Sequence, residues 1–274
     1  MNTEHAETPA APYRDVRALQ RGLEVLTELN RSPQGSCSIT ELAERTGIHR
    51  TTVRRLLETL ARGGYVRVSP SSGHYCLTIR VRELSEGFTD REWITSIATP
   101  AMGELLQTVK WPSDLTTLDG THMLIRESTH RFSPLSFDRN MVGKRMPILL
   151  TASGRAYLAA CSVQERKEIL RMVRAEDSIQ SSIAASPRLV AQMIEQVLAR
   201  GYAVNEGDWN RSSPKGILAL PIMHRNKVLA CLNLIYIRRG LTHQQAAERY
   251  LPALKHAVVT IERQLAAWAG SDPL

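Results

Sequence analysis

Apolar side chains recur at helical spacing near the start of the chain. A first helix is predicted from residue 15 or 16 to residue 30, and the stretch that contains Pro33 and Gly35 ends it. Its apolar stripe consists of Val16, Leu19, Leu23, Leu26 and Leu29. A second helix is predicted to run to Thr46, because Ser38 and Glu41 have the spacing of a capping box at its start.

A third helix is predicted for residues 49–61, after a turn at Gly47 that favours a positive φ. Its buried stripe occupies positions i, i+3, i+4 and i+7 and consists of Val53, Leu56, Leu57 and Leu60. Gly63 and Gly64 end this helix. The three helices are therefore joined by short turns.

Two short β-like segments follow, residues 65–69 and 74–79, with Pro-Ser-Ser-Gly between them. Helix, tight turn, helix and hairpin is the plan of a winged helix-turn-helix domain. We predict this domain for residues 14–79. Residues 1–13 are polar and rich in Ala and Pro, and are predicted to be a disordered tail.

The polar side of the third predicted helix has the chemistry of a DNA-reading surface. Arginine can bond guanine edges or phosphates, and threonine can bond phosphates or contact thymine methyl groups. From Arg45 to Arg82, eight arginines stand against one carboxylate, Glu58. The predicted DNA-contacting residues are Ser38, His49, Arg50, Thr51, Thr52, Arg54, Arg55, Arg67 and His74. The alternative is a solvated arginine face followed by an ordinary hairpin, with His74 an exposed turn residue.

The second half of the chain changes from helical spacing to alternation. Residues 80–93 are predicted to be a linker helix and residues 94–269 a second domain. Further helices are predicted at 94–109, 164–173 and 187–200, and a last one from the capping box of Thr242 and Gln245 to about Trp268. Strands are predicted at 115–118, 123–126, 135–137, 216–223 and 228–237. The expected fold class is α+β, with five or six antiparallel strands flanked by helices.

Composition narrows the functional classes. The chain has 274 residues and a formal net charge of +8, which is compatible with a nucleic-acid partner. Its four cysteines are scattered, as expected for reduced thiols in a cytoplasmic protein without a metal site. No signal peptide and no membrane-spanning run is recognised. Neither a cofactor nor a membrane partner is expected.

The chain resembles the IclR family of bacterial transcriptional regulators from about Val16 to Trp268. The resemblance rests on residues 17–26 (Arg-Ala-Leu-Gln-Arg-Gly-Leu-Glu-Val-Leu), on the winged module, on residues 143–147 leading into 151–156, and on the strand 216–221 (Gly-Ile-Leu-Ala-Leu-Pro). Within the family, residues 49–60, 81–88 and 129–133 are most similar to activators of phenylpropionate-type aromatic acid catabolism.

The resemblance implies a GAF-like effector domain, a homodimer or dimer of dimers, an operator of inverted-repeat character, and a small organic effector. By position, the implied effector-binding residues are Thr151, Ala152, Ser153, Gly154, Asp208, Ile217, Asn233 and Ile235. Ile217 and Ile235 are apolar where some small-acid sensors of the family have polar groups. An aromatic ring is therefore expected instead of a hydrophilic acid such as glyoxylate.

The residues themselves also suggest an effector site at positions 151–154. Their small side chains leave room, and N–H groups at a helix start can hold a carboxylate. Arg145 or Arg155 can pair with that carboxylate. The alternative is that Ala-Ser-Gly only permits close helix–sheet packing and that both arginines are surface residues.

Three functional classes compete. The first is a ligand-responsive regulator of an aromatic-acid catabolic operon, an activator with RNA polymerase as a partner, or alternatively a repressor that responds to a non-aromatic acid. The second is an enzyme, but Ser153 lacks a Gly-x-Ser-x-Gly elbow, and Cys161 and Cys231 stand alone in apolar surroundings. The third is an architectural DNA-binding protein without a ligand. We expect the first and no enzymatic activity.

Overall fold

The computed structural model describes residues 15–32, 35–84, 92–136, 138, 140–205, 214–238 and 241–268. The chain divides into two units, Met1–Phe88 and Thr89–Leu274. That division falls inside the predicted linker 80–93. Of the linker, residues 85–91 lie outside the described part.

The first unit contains the predicted helices and hairpin. Its helices are α1 (Arg17–Arg31), α2 (Ile39–Thr46), α3 (Arg50–Arg62) and the single turn α4 (Arg80–Glu83). Its strands are β1 (Ser36–Cys37), β2 (Val66–Val68) and β3 (Tyr75–Leu77), which pair antiparallel in the order β1-β3-β2. The sequence pattern does not predict β1, since two residues carry no periodicity. The core is formed by apolar side chains from all three long helices, including Val25, Leu29, Leu42, Val53 and Leu57.

Local caps fix where α2 begins and ends. The Glu41 N–H donates to Ser38 Oγ at 3.2 Å, and Glu41 Oε2 accepts from the Ser38 N–H at 2.9 Å. Hydrogen bonds to the Glu41 carboxylate, first from the Ser38 backbone and then from the side chains of Ser38 and Cys37, lower its pKa from the ordinary 4.5 to about 2. Gly47 caps the other end in the left-handed conformation, with φ 67°. The predicted capping box and glycine turn are both confirmed.

We expect Ser38→Ala to destabilise the first unit by about 1 kcal/mol, the usual value of a helix N-cap. The bond from the Glu41 N–H to Ser38 Oγ does not titrate, so this part of the difference should persist at low pH. The part that comes from the Ser38 side-chain bond to the Glu41 carboxylate should be lost as the pH falls from 4.5 towards 2, because that carboxylate stabilises the fold only while ionised. Urea unfolding, monitored by circular dichroism, measures the difference in the free energy of unfolding. Ser71→Ala, in the exposed hairpin turn, is the control. Equal midpoints for the two variants would show that the cap contributes nothing.

The second unit is built on a six-stranded antiparallel sheet. Its strands are β4 (Ser113–Asp119), β5 (His122–Ser128), β6 (Arg145–Pro147), β7 (Ala203–Asn205), β8 (Lys215–His224) and β9 (Lys227–Ile237), in the order β6-β5-β4-β9-β8-β7. Its helices are α5 (Thr99–Val109), α6 (Ala152–Ala160), α7 (Val163–Arg174), α8 (Ile179–Ala184), α9 (Pro187–Arg200) and α10 (His243–Ala266). The α+β fold class is confirmed.

Some predicted elements differ in detail. The strand predicted at 135–137 is wrong for Leu135, which lies in a turn, and for Ser136, which has no regular structure; Phe137 lies outside the described residues. Helix α5 is preceded by a π-helical turn, Ile94–Ala98. Pro100 in the first turn of α5 has no N–H to donate, and the wider turn before it is compatible with that loss.

Alternate side chains of β8 and β9 cover opposite faces of the sheet. Leu218, Leu220, Leu232 and Leu234 belong to a buried cluster that includes residues of α5 and α10. Ala219 and Cys231 belong to a second cluster with residues of α6, α7 and α9. The pleat therefore places Ile217, Asn233 and Ile235 on the α6 face. This face holds the candidate site of the unit.

Two glycines allow close approaches that no other residue permits. At Gly154, on α6, an added Cβ would lie 2.6 Å from the Cα of Ile148. At Gly216, on β8, it would lie 2.5 Å from the hydroxyl oxygen of Tyr236, its cross-strand partner. The predicted packing role of the small residues therefore applies to Gly154.

Candidate functional site

The polar face of α3 is accessible in the first unit. Arg50, Thr51, Arg54 and Arg55 are exposed, and Thr52 is half-buried. The face that packs inward is anchored by Val53 and Leu57, which are fully buried. The side chains predicted to meet DNA thus lie opposite or beside the apolar stripe, where the helical period places them.

Two predicted contact residues serve first as helix caps. His49 Nδ1 accepts from the Thr51 N–H at 3.4 Å and lies 2.9 Å from Thr51 Oγ1, so the imidazole orients the start of α3. Ser38 is held in the capping box of α2.

Arg54 Nε donates to Glu58 Oε1 at 2.9 Å on the exposed face of α3. A base contact by Arg54 therefore competes with this ion pair.

The hairpin presents the remaining two predicted residues. Arg67 is exposed on β2. His74 is half-buried at the base of the turn, where its N–H donates to Ser72 Oγ at 3.3 Å and its carbonyl accepts from the Ser69 N–H at 2.7 Å. The backbone of the wing is thus ordered by its own serines, and its tip is polar.

The second unit contains a cavity of about 210 Å³ between the sheet and the first turn of α6. It combines an apolar wall with a cluster of polar groups. The apolar side chains are Met123, Ile125, Met141, Met146, Ala152, Ile217 and Ile235. The polar ones are Asp114, Thr116, His130, Asp138, Thr151, Ser153, Asn205, Lys215 and Asn233. Such a mixture is usual for small-molecule sites.

Most of the predicted effector residues meet at this cavity. Those that line it are Thr151, Ala152, Ser153, Ile217, Asn233 and Ile235. Gly154 is buried against Ile148 and packs the helix instead. Asp208 lies outside the described residues.

Neither predicted arginine lines the cavity. Arg145 is exposed and pairs with Asp119, with 2.8 Å between Arg145 Nε and Asp119 Oδ2. Arg155 donates from Nε to the Leu149 carbonyl at 3.3 Å and from Nη1 to the Val204 carbonyl at 3.2 Å. Helix α6 turns Arg155 away from its Ser153 side, and backbone carbonyls hold the guanidinium. In this geometry, neither Arg145 nor Arg155 lies where it could pair with the carboxylate of a ligand in the cavity.

A polar network fixes Ser153. Asn233 Oδ1 accepts from the Asp114 N–H at 2.9 Å, so the other amide atom is the nitrogen, which donates to Ser153 Oγ at 3.1 Å. Ser153 Oγ thus accepts one bond and keeps its own proton to donate. Thr151 Oγ1 accepts from the Gly154 N–H at 3.2 Å, which leaves the N–H groups of Ala152 and Ser153 unused within the helix.

Sequence reasoning missed four charged or titratable residues at the cavity. Asp114 and His130 are both 2% exposed, with 3.7 Å between Asp114 Oδ2 and His130 Nε2. Asp138 and Lys215 form an ion pair nearby. Burial alone would raise the pKa of Asp138, but the hydrogen bond and charge of Lys215 outweigh it and hold that pKa below its ordinary value. The sequence feature that could have revealed these groups is Asp114, a carboxylate at the start of an apolar strand.

The cysteines considered for redox chemistry are buried. Burial raises the pKa of both Cys161 and Cys231, which keeps them as unreactive thiols. Within the described ranges, no three His, Cys, Asp or Glu side chains are grouped to hold a metal ion. Among the described residues, no helix has both the length and the apolar character needed to cross a membrane.

Comparison with known proteins identifies both units. Residues 18–70 match the IclR helix-turn-helix domain, and residues 87–263 match the C-terminal domain of the bacterial transcriptional regulator IclR. The chain is 29% identical over 252 residues to the Pca regulon regulatory protein of Pseudomonas putida, which covers 90% of this chain and 84% of that protein. It is 25% identical over 202 residues to the acetate operon repressor of Salmonella typhimurium, with 73% of each covered.

A solved structure shows the same fold. It is an IclR homologue of Microbacterium hydrocarbonoxydans complexed with 4-hydroxybenzoate, with a TM-score of 0.61, 20% identity, and coverage of 92% of this chain and 100% of that one. Proteins of this family regulate transcription and are not enzymes. With two family domains matched over most of its length, the chain belongs to the IclR family of DNA-binding, ligand-responsive transcriptional regulators.

Proposed function

We propose that the protein regulates an aromatic-acid catabolic operon, as an activator, and that its effector is a small aromatic carboxylic acid bound in the α6 cavity. The observation that carries this proposal is the pairing of an apolar wall with unused donors at the start of α6. The volume of about 210 Å³ is below the roughly 300–1,000 Å³ of drug-sized sites, which suits a ligand of about one ring.

The carboxylate is assigned to the first turn of α6. The Ser153 hydroxyl has its proton to donate, and the N–H groups of Ala152 and Ser153 add the positive end of a helix dipole. The ring then contacts Ile217, Ile235 and the methionines, whose polarizable sulfur adapts well to aromatic faces. Neither Arg145 nor Arg155 lines the cavity, and Lys215, which does, is paired with Asp138, so the acid is held by hydrogen bonds and the dipole.

One similar protein fits this effector class, since the Microbacterium hydrocarbonoxydans homologue was crystallised with 4-hydroxybenzoate, an aromatic carboxylic acid. The acetate operon repressor supports the alternative, a repressor that responds to a non-aromatic acid. The apolar side chains at 217 and 235 favour the aromatic ligand over that alternative.

The DNA-contacting surface is proposed to be the exposed side of α3 with the wing. Arg50, Thr51, Thr52, Arg54 and Arg55 enter a major groove, while Arg67 and His74 approach the adjacent backbone. Ser38 and His49 lie at helix starts, where N–H groups and side chains meet phosphates. RNA polymerase is the further partner that activation requires.

We propose a homodimer because the first unit exposes a row of apolar side chains. Leu19 and Leu23 of α1 are 61% and 55% exposed, beside half-buried Leu56 and Leu60 of α3. Exposed apolar side chains in one row mark association surfaces more often than isolated ones do. Two copies joined here would read an operator with inverted half-sites.

A cavity-blocking variant tests the effector site. Ile217→Trp fills the cavity, so we expect benzoates and 3-phenylpropionates to raise the melting temperature of the wild type by several degrees but not that of the variant. Val259→Trp, at an exposed position of α10, should respond as the wild type does. The measurement is a thermal shift at saturating ligand, with circular dichroism to verify folding. A shift that survives Ile217→Trp places the ligand elsewhere.

A further inference from the structure

We propose that Asp114 and His130 form a subsite that selects effectors carrying a hydroxyl group. This inference rests on the proposed function, because it assigns a second polar group to the same ligand. It makes Asp114 the specificity-determining residue of the cavity.

Two residues that line the cavity, Asp114 and His130, each carry a buried polar atom without a hydrogen-bond partner. Within the described part of the chain, Asp114 Oδ1 and His130 Nε2 are buried and have no hydrogen-bond partner. The separation of 3.7 Å between Asp114 Oδ2 and His130 Nε2 is too long for a hydrogen bond. Buried polar atoms are nearly always paired in folded proteins, and an unpaired carboxylate oxygen is costly. Both residues line the cavity, so we assign a ligand bound there as the partner of these atoms.

The neighbours of His130 favour a proton on Nε2. Ser136 Oγ lies 2.5 Å from His130 Nδ1 and accepts from the Asp138 N–H at 3.2 Å. Ser136 therefore has its hydroxyl proton to donate to Nδ1, which is much closer than its other acceptor, the Asp138 carbonyl at 3.4 Å. Carboxylates flank both ring nitrogens, with Asp114 Oδ2 at 3.7 Å from Nε2 and Asp138 Oδ2 at 3.8 Å from Nδ1. Because Asp138 is already paired with Lys215, the Asp114 carboxylate attracts the proton more strongly and favours Nε2–H. The subsite then offers one acceptor, Asp114 Oδ1, and one donor, His130 Nε2–H.

Only a few ligand groups satisfy both atoms. A hydroxyl donates to Asp114 and accepts from His130 at the same time. A carboxylate would be repelled by Asp114, a methyl ether offers no proton, and a bare ring edge leaves both atoms unpaired. An ammonium group donates but cannot accept from Nε2–H. The chemistry therefore points to a phenolic or alcoholic hydroxyl on an aromatic acid.

Calorimetric titration of the full-length protein with matched acids tests the subsite. The probes are benzoate and 3-phenylpropionate, each unsubstituted, with a ring hydroxyl, and with a ring methoxy group. We expect the best hydroxylated acid to bind the wild type about tenfold or more tightly than its unsubstituted and methoxy counterparts. A wild type that binds all three equally would overturn the subsite.

Variants at position 114 identify the residue responsible. Asp114→Leu should reduce the hydroxyl preference to less than about threefold, because it removes the proposed acceptor, Asp114 Oδ1. Asp114→Asn is the second variant should the leucine disturb folding. It should also lower the preference. Asp119→Asn, on the surface beside Arg145, should keep it. Full preference in folded Asp114 variants contradicts the assignment.

The outcomes separate this inference from the proposed function. If no aromatic acid binds, the proposed effector class fails and the subsite fails with it. If the acids bind without regard to the hydroxyl, the subsite alone fails. If phenol, which has no carboxylate, binds with the same dependence on Asp114, the subsite stands and the carboxylate assignment fails.

Discussion

Gly154→Ala is expected to destabilise the second unit by about 3 kcal/mol or more. The new Cβ would lie 2.6 Å from the Cα of Ile148, closer than any van der Waals contact, and this neighbour is backbone, not a side chain that can turn aside. Helix α6 would have to move off the 148–150 turn. Overpacking that shifts a buried backbone belongs among the most damaging single substitutions.

A matched control separates this clash from the general effect of alanine. Gly103 also lies inside a helix, α5, and no described atom lies within 4 Å of the Cβ it would gain. Gly103→Ala should therefore stabilise the protein by up to about 1 kcal/mol, because alanine is the better helix former. Urea unfolding of both variants gives the comparison. Equal midpoints for Gly154→Ala and wild type would show that α6 is not seated against Ile148.

The second large effect is expected at the exposed face of α3. Replacing Arg50 or Arg54 by alanine should weaken operator binding by about 5-fold to 150-fold, since a bidentate pair between arginine and a base is worth about 1–3 kcal/mol. For Arg54 the effect is compounded, because Glu58 would then face the DNA phosphates without its partner. If either arginine meets a phosphate instead, the salt dependence of binding should weaken as well.

Fluorescence anisotropy at fixed salt measures this effect on a duplex that the protein selects from a random pool. Arg31→Ala is the control, since Arg31 ends α1 and pairs with Glu28 in the same unit. Its affinity should stay within about twofold of wild type, the scale of a surface ion pair. Unchanged affinity in the Arg50 and Arg54 variants would remove α3 as the reading helix.

Most of the long helices could be predicted because their signals are local, whereas the six-residue α8 was not predicted. Ser38 and Glu41, and Thr242 and Gln245, each satisfy their capping boxes within four residues of chain. The strands β1, β6 and β7 have two or three residues each and are defined only by their partners in the sheet. No period is visible over such lengths, so the sequence pattern does not predict these strands.

The cavity could be predicted only in part, for the same reason. Ser153 and its neighbours form a small-residue run that sequence reveals. Asp114 meets Asn233 through strand register across 119 positions, and His130 arrives from the turn after β5. Arg155 is near Ser153 in sequence but points to the carbonyls of Leu149 and Val204. Proximity along the chain therefore indicated a cation that does not line the cavity, and strand pairing between distant parts of the chain brought in polar groups that the sequence did not reveal.

A ligand in the α6 cavity is proposed to control DNA binding by α3. The most direct measurement is operator affinity with and without a saturating aromatic acid, in the wild type and in Ile217→Trp. We expect the acid to change wild-type affinity by about 5-fold to 150-fold, the usual range of allosteric coupling, and to leave the variant unchanged. Identical operator affinities with and without an acid that demonstrably fills the cavity would contradict this control of DNA binding.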